Sequence, residues 1–362
     1  MSITSLFLNL TIQMKTNRIT LDEFRLAELR TFTHATGELS NLLREIGLAA
    51  KRIHSVITMS NEAELTGAVN YKNASGEFIK GLDRFANDEL LAVLKRSVSC
   101  AGIVSEEEDD ILVFDNPSNN KSKYVVMFDP VDGSSNCDNC MTVGTIFGIY
   151  KRRTESGTPC TAEDFMQTGR HLVAAGYVIY GSSTKMLYAT KRGVNGFTLD
   201  STIGEFCLTH PSITCPPTGK VYSLNESNIL LYNEAIAGFV NTMQKQNVIS
   251  PGSFSARYVG SMVADLHRTL FEGGIFLYPS TDENTNGKLR LMYECNPFAF
   301  IFEAAGGSAT DGYRDILDIV PEHIHQRTPI YIGSREMVNE VRRLLKYQNR
   351  VGMKYGSSAV NS

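Results

Sequence analysis

Tyr124-Val125-Val126-Met127-Phe128-Asp129-Pro130-Val131-Asp132-Gly133-Ser134-Ser135-Asn136 reads as a buried strand running straight into a polar turn. Pro130 and Gly133 predict the end of the strand, because proline cannot donate to a ladder and glycine favours turns. Asp129 and Asp132 then emerge at the C-terminal end, where α/β sheets place their ligands. Gly133, Ser134 and Ser135 leave backbone N–H groups for a phosphate oxygen. Two acids beside an anion-binding turn oppose each other and the anion, so the pattern asks for cations between them. Hard divalent ions such as Mg²⁺ take oxygen ligands and bridge to phosphate. The alternative is an ordinary turn, since Asp, Pro, Gly, Ser and Asn are the common turn formers.

Two more acidic segments lie upstream. In Ile103-Val104-Ser105-Glu106-Glu107-Glu108-Asp109-Asp110 the acids follow an apolar run, and the two nearest it, Glu106 and Glu107, are the candidates. Glu108 to Asp110 read as a solvated charge run. Glu77 and Asp83 lead into a helix and, taken alone, read as surface acids.

Around these segments helical and strand patterns interleave. Leu39, Leu42, Leu43, Ile46, Leu48, Ile53, Val56 and Ile57 carry the spacing of an amphipathic helix over 37–58, with Thr36-Gly37 at its start. Further helices are expected over 83–98, 233–246 and 297–305, the last ended by Gly306-Gly307. Strands are expected over 111–114, 124–128, 145–150, 172–180, 186–190 and 196–199. The fold class is α/β, a layered α+β sandwich. The expected division is an N-terminal extension (1–30), an N-terminal half (31–212), a C-terminal half (213–346) and a tail (347–362).

Composition narrows the function. With 42% hydrophobic and 20% charged residues the chain suits a globular core. A net charge of -4 gives no basic excess for nucleic acid, so a phosphorylated ligand would need local Lys or Arg near the acids. No apolar run approaches the roughly 20 residues of a membrane span. Leu6 to Leu10 is apolar but short and follows no basic residue, which speaks against a signal peptide. The first 21 residues contain no acid, which leaves an organelle-targeting extension open. Seven cysteines suggest no disulfide framework, so a reducing, cytoplasmic compartment is expected. Gly219-Lys220 and Gly287-Lys288 lack the following Ser or Thr of a nucleotide-binding P-loop.

Asp129-Pro130-Val131-Asp132-Gly133-Ser134 resembles the signature of the metal-dependent phosphatases that include inositol monophosphatases and fructose-1,6-bisphosphatases. Tyr222-Ser223-Leu224-Asn225-Glu226, Ala256-Arg257-Tyr258-Val259-Gly260-Ser261-Met262-Val263-Ala264-Asp265 and Gly287-Lys288-Leu289-Arg290-Leu291-Met292-Tyr293-Glu294-Cys295-Asn296-Pro297 are similar to class I fructose-1,6-bisphosphatase. The resemblance runs from Thr31 to Leu345. It implies the sugar-phosphatase fold of alternating helix and sheet layers and a homotetramer. It implies Mg²⁺-dependent hydrolysis of the 1-phosphate of fructose 1,6-bisphosphate, with Mn²⁺ or Zn²⁺ as substitutes. Glu106, Glu107, Asp129, Asp132, Glu294 and the Val131 carbonyl fall on metal-ligand positions. Asp83, with Glu107, matches the acid that activates water; Glu106 belongs to the same catalytic group. Asp132, Gly133, Ser134 and Ser135 fall on the 1-phosphate turn. Asn225, Tyr258, Tyr278, Lys288 and Arg290 match sugar and 6-phosphate contacts, and Arg257 an arginine given to the adjacent subunit.

Departures are visible. Glu77 replaces a usual aspartate, and Asn228 a phosphate-binding tyrosine. Thr36, Gly37, Glu38, Leu39, Lys123 and Tyr124 match a regulatory AMP site, although Ser40 and Lys151 replace a threonine and an arginine there. Thr36-Gly37 serves equally as a helix cap. Cys137 and Cys140 form a lone Cys-x-x-Cys that reads as small, partly buried thiols, with zinc or redox roles less favoured. Sedoheptulose-1,7-bisphosphatase, a dual-specificity bisphosphatase, and a non-catalytic phosphate sensor on the same fold are the competing readings. Tyr293 to Pro297 and Ile324 to Arg327 favour the fructose enzyme, and every metal-ligand position is retained.

Overall fold

A computed structural model of the chain describes residues 18–30, 37–66 and 78–356. Thr36 and Glu77 lie outside the described residues, as do the N-terminal extension before residue 18 and the last six residues of the tail. Helices α1 (Leu21–Arg30), α2 (Glu38–Thr66) and α3 (Phe78–Arg96) come first. Eight strands follow: β1 (Gly102–Ser105), β2 (Leu112–Val113), β3 (Tyr124–Asp132), β4 (Val143–Lys151), β5 (Leu172–Tyr180), β6 (Thr184–Thr190), β7 (Gly193–Asp200) and β8 (Glu205–Ile213). They form one sheet in the order β2-β1-β3-β4-β5-β6-β7-β8, antiparallel except where β1 runs parallel to β3.

Side-chain alternation along β3 sorts this sheet's two faces. Val126 and Phe128 pack with Leu42, Ile46, Ile53, Leu90 and Leu94 of α2 and α3. Val125 and Met127 face the other way, against Met262, Val263 and Leu266 of α5 and Phe298 and Phe302 of α6. Here α4 is Glu234–Ile249, α5 Met262–Glu272, α6 Asn296–Ala304 and α7 Arg335–Gly356. Beyond α5 and α6 lies a second sheet, β10-β9-β11-β15-β13, built from β9 (Val221–Ser223), β10 (Ser255–Ala256), β11 (Ile275–Tyr278), β13 (Ser308–Thr310) and β15 (Ile330–Gly333). The ribbon β12 (Leu289–Arg290) and β14 (Arg327–Thr328) stands apart. Phe276, Ile330 and Ile332 join the central core, whereas Ile275, Leu277 and Tyr331 pack with α4 and α7 on the outer side. The result is five alternating layers, a layered α/β sandwich.

Two expectations need correction. Pro130 does not end β3, which continues to Asp132 with a register shift between Asp129 and Asp132. Proline is tolerated at such an irregularity because the ladder is already interrupted. Asp129 therefore projects from within the strand, and only Asp132 stands at its end. The helix expected at 83–98 starts earlier, at Phe78, and stops at Arg96.

Phe298 shows how tightly the central layer is tied. It is fully buried and stacks on Tyr177 of β5 with ring centroids 5.0 Å apart. Phe298→Ala is expected to destabilise the fold by about 3–5 kcal/mol, read by urea or thermal melting. A loss below about 1 kcal/mol would contradict the packing described here.

Candidate active site

Asp129, Asp132 and Glu294 each bring a carboxylate oxygen to one point, all within 4.8 Å of one another, and all three are buried. Their backbones are fixed from different directions. Asp129 Oδ1 accepts from the Val131 N–H at 3.0 Å, and Thr145 Oγ1 donates to the Pro130 carbonyl at 2.7 Å, holding the shifted stretch of β3 against β4. Asp132 Oδ2 accepts from Ser261 Oγ at 2.6 Å and from the Val263 N–H at 2.8 Å, so the first turn of α5 grips it. Glu294 comes from a π-helical turn, Leu291–Cys295, between β12 and α6, and its carboxylate accepts from the Arg290 N–H. Such wide turns recur at functional sites because they re-aim side chains.

The electrostatics follow from that crowding. Burial, then the charges of Glu106, Glu294 and Asp132, push the Asp129 carboxyl far above the usual range. Burial and then Glu106 do the same to Glu294. Asp132 is raised by burial, against the opposing hydrogen bonds from Ser261 and Val263. Glu106 is raised by burial and drawn back by Arg290, whose Nε stands 3.9 Å from Glu106 Oε1.

Asp83 meets this cluster from α3. Its carboxyl is raised to about 7, chiefly by burial, with a hydrogen bond from Ser134 opposing and the charges of Glu107 and Glu106 adding. Glu107 is exposed and raised by partial burial and then by Glu108. Thus Glu106 meets the buried trio through a hydrogen bond with Asp129, and Asp83 links Glu106 to Ser134 and Glu107. Ser135, next to Ser134, is exposed. Gly133 has φ +75°, and a Cβ there would stand 2.7 Å from Ser261 Cβ, so only glycine lets the turn approach α5.

Glu108 is not a merely solvated charge. Its Oε1 accepts from Asn87 Nδ2 at 2.7 Å, while Asn87 Oδ1 accepts from Ser105 Oγ at 2.7 Å. Asn87 lies four residues after Asp83, on the same face of α3. It ties the helix carrying Asp83 to the loop carrying Glu106 and Glu107, and that i, i+4 spacing is the sequence signal that would have found it.

Of the residues expected at the sugar side, Asn225, Arg257, Tyr258 and Tyr278 lie in or beside strands of the second sheet, whereas Lys288 and Arg290 belong to the separate ribbon and its approach. The Tyr258 and Tyr278 phenols share a hydrogen bond, and the Tyr258 phenol is raised chiefly by burial, with Asp132 among the smaller contributors. Tyr232 stands close to both and bonds the Asn225 carbonyl at 3.1 Å. It also hydrogen-bonds Asn228, where a tyrosine was expected. No local pattern marked Tyr232 in advance. Asn225 Oδ1 accepts from Ser227 N–H at 3.2 Å and Ser227 Oγ at 2.6 Å. Arg257 and Lys288 are exposed, and Arg290 Nη1 donates to the His325 carbonyl at 3.3 Å.

Gly37, Glu38, Leu39, Lys123 and Tyr124 gather elsewhere, at the opposite end of β3. Eight residues of extended chain put Tyr124 about 26 Å from Asp132. Glu38 Oε2 accepts from the Lys123 N–H at 3.1 Å, and Glu38 Oε1 lies 2.9 Å from Lys123 Nζ. The Tyr124 phenol is raised by burial and then by Glu38. Cys137 is half-buried and Cys140 exposed, and no disulfide is present among the described residues.

An all-carboxylate oxygen set, buried and mutually repelling, fits a hard divalent cation. Comparison with known proteins bears on the same site. The family model for the N-terminal domain of fructose-1-6-bisphosphatase matches residues 19–211, and that for its C-terminal domain matches residues 215–346. Among solved structures, the crystal structure of Leishmania major fructose-1,6-bisphosphatase in holo form is similar, with 35% identity and a TM-score of 0.80. The match covers 91% of this chain and 99% of that one. No helix among the described residues is long and apolar enough to cross a membrane.

Acids raised above their unfolded values bind more protons in the folded state, so their stability contribution falls as pH rises through that window. In EDTA, the melting temperature is expected to drop between pH 5 and 7.5. Added Mg²⁺ should recover most of that drop. Asp129→Asn, which removes one buried charge, should melt about 2 °C or more above the metal-free parent and lose the response to Mg²⁺. A variant that melts lower and still responds would place Asp129 outside the charge cluster.

Proposed function

The chain belongs to the fructose-1,6-bisphosphatase family, which is metal-dependent and acts on sugar bisphosphates, and on that premise we propose that it hydrolyses the 1-phosphate of fructose 1,6-bisphosphate. The products are fructose 6-phosphate and inorganic phosphate. The observation that carries this reading is the convergence of Asp129, Asp132 and Glu294 within 4.8 Å, beside a serine-bearing turn. Glu106, Glu107 and the Val131 carbonyl complete the set proposed to hold Mg²⁺. Bound cations offset the negative charge of a phosphomonoester, which otherwise repels a nucleophile, and stabilise the leaving oxygen.

The chain's own groups supply the rest. The Ser134 hydroxyl and the backbone N–H groups of Gly133 to Ser135 receive oxygens of the 1-phosphate. Asp83, held near Ser134 and raised to about 7, accepts the proton of the attacking water, with Glu107 beside it. As water adds to phosphorus in line, the bond from phosphorus to the C1 oxygen breaks, and that oxygen takes a proton from solvent to leave as the C1 hydroxyl. No serine or cysteine has to act as nucleophile. Asn225, Tyr258 and Tyr278 hold the sugar. Lys288, Arg290 and Arg257 of the partner subunit hold the 6-phosphate, which makes a homotetramer part of the proposal. Residues 31–212 then carry most of the carboxylates and 213–346 most of the sugar contacts.

Phosphate release from fructose 1,6-bisphosphate with Mg²⁺ is the direct test, with sedoheptulose 1,7-bisphosphate in parallel. Hydrolysis should favour the fructose ester and cease on chelation; activity that survives EDTA contradicts the proposal. Because the base form of Asp83 grows as pH rises through about 7, kcat/KM should rise across that range. Nearby cations, by favouring the carboxylate, move that limb to lower pH. Asp83→Asn should flatten it and lower kcat by about 10²-fold or more. The Gly37, Glu38, Leu39, Lys123 and Tyr124 group is proposed as an AMP site, and undiminished activity at millimolar AMP would refute that.

A further inference from the structure

Asp265 is a buried carboxyl group that none of the proposed chemistry uses. It sits in the first turn of α5, fully buried. Its Oδ2 accepts from the Val259 N–H at 3.0 Å and the Gly260 N–H at 3.3 Å, and its Oδ1 from Arg268 Nη2 at 2.8 Å. The same Arg268 nitrogen donates to the Arg257 carbonyl at 3.1 Å and to Ser223 Oγ. One guanidinium thus joins three stretches of chain. Ser223 lies in β9, two residues before Asn225. The Arg257 carbonyl and the Val259 and Gly260 amides bracket Tyr258. Gly260 has φ +85°, so the loop turns sharply between Tyr258 and the helix. On its other side this loop meets the phosphate turn, where Asn136 Nδ2 donates to the Val259 carbonyl at 3.4 Å.

We propose that Asp265 and Arg268 are a positioning pair that sets Asn225 and Tyr258 in register with the carboxylate cluster and presents Arg257 to the adjacent subunit. Neither residue touches the reacting phosphate. The pair acts by removing freedom from the loop 257–261 before substrate arrives, which lowers the ordering cost of binding. Charge-assisted hydrogen bonds suit the task because they are short and directional. This inference rests on the roles proposed above, sugar binding for Asn225 and Tyr258 and 6-phosphate binding in the adjacent subunit for Arg257.

The test is a pair of variants, Arg268→Gln and Asp265→Asn, in the full-length protein. Both should raise KM for fructose 1,6-bisphosphate about tenfold, as expected for loss of one charge-assisted contact network, with kcat within about threefold. Arg268→Lys, which keeps the charge and three donors, should recover most of the KM. The Mg²⁺-induced rise in melting temperature should persist in all three, since the cation-binding acids are untouched. An unchanged KM, or a fall in kcat alone, would overturn the proposal. Amide exchange gives a reading independent of substrate: Val259 and Gly260 should be protected in the parent and exchange at least about tenfold faster in Asp265→Asn. If the parent hydrolyses no sugar bisphosphate, the functional reading fails on its own. The positioning pair is then judged by exchange, and unchanged protection overturns it. Should Asp265→Asn fail to fold, Arg268→Gln, altering a partly exposed side chain, decides on both measurements.

Discussion

Three carboxylates that repel one another inside a protein are the constraint around which this structure is arranged. Two unit charges 4.8 Å apart cost about 3 kcal/mol even at an effective dielectric of 20. Asp129, Asp132 and Glu294 impose that cost three times over, and burial adds to it. Burial and mutual charge hold all three carboxyls above the usual range, which favours their protonated forms. A hard cation answers the rest. On the proposed function, the residues that weaken the metal-free fold are the ones that would hold the cation, a trade common where function is built from strain.

The five-layer architecture makes that crowding feasible. Asp129 and Asp132 come from a strand buried on both faces, and Glu294 from a turn leading into the helix packed behind it. None can swing away to solvent. Each has a local bond that fixes one oxygen: the Val131 amide for Asp129, the start of α5 for Asp132, and the Arg290 amide for Glu294. Arg290 joins both sides, its backbone bonded to Glu294 and its side chain 3.9 Å from Glu106. Asn87 and the Asp265–Arg268 pair extend this tethering outward, the first to the acids near Asp83 and the second to the tyrosines.

Much of this was legible in the sequence, and for definite reasons. The apolar run 124–128 followed by two aspartates and a glycine-serine turn specified a strand with acids at its end, because strand period and turn chemistry are local properties. The i, i+3, i+4 spacing of Leu39 to Ile57 specified α2 in the same way. The passage of β3 through Pro130 was not legible, since whether a proline ends a strand depends on the partner strand's register. Glu108 was misread as a solvated charge because its partner, Asn87, lies on a separate helix. Tyr232 and Asp265 were missed as site residues for the same reason: their partners are brought in only by tertiary packing. Glu294 was reached only through the resemblance of its surrounding string, since nothing local marks a lone acid in an apolar helix.

Raised carboxyls that hold a divalent cation would have to give up protons to it. Calorimetric titration of Mg²⁺ into the metal-free protein at pH 7, repeated in buffers of different ionisation enthalpy, measures this directly. Binding should release protons, on the order of one per chain, and Asp129→Asn should diminish the release. Binding without proton release, or no binding at all, would contradict the proposed cation site.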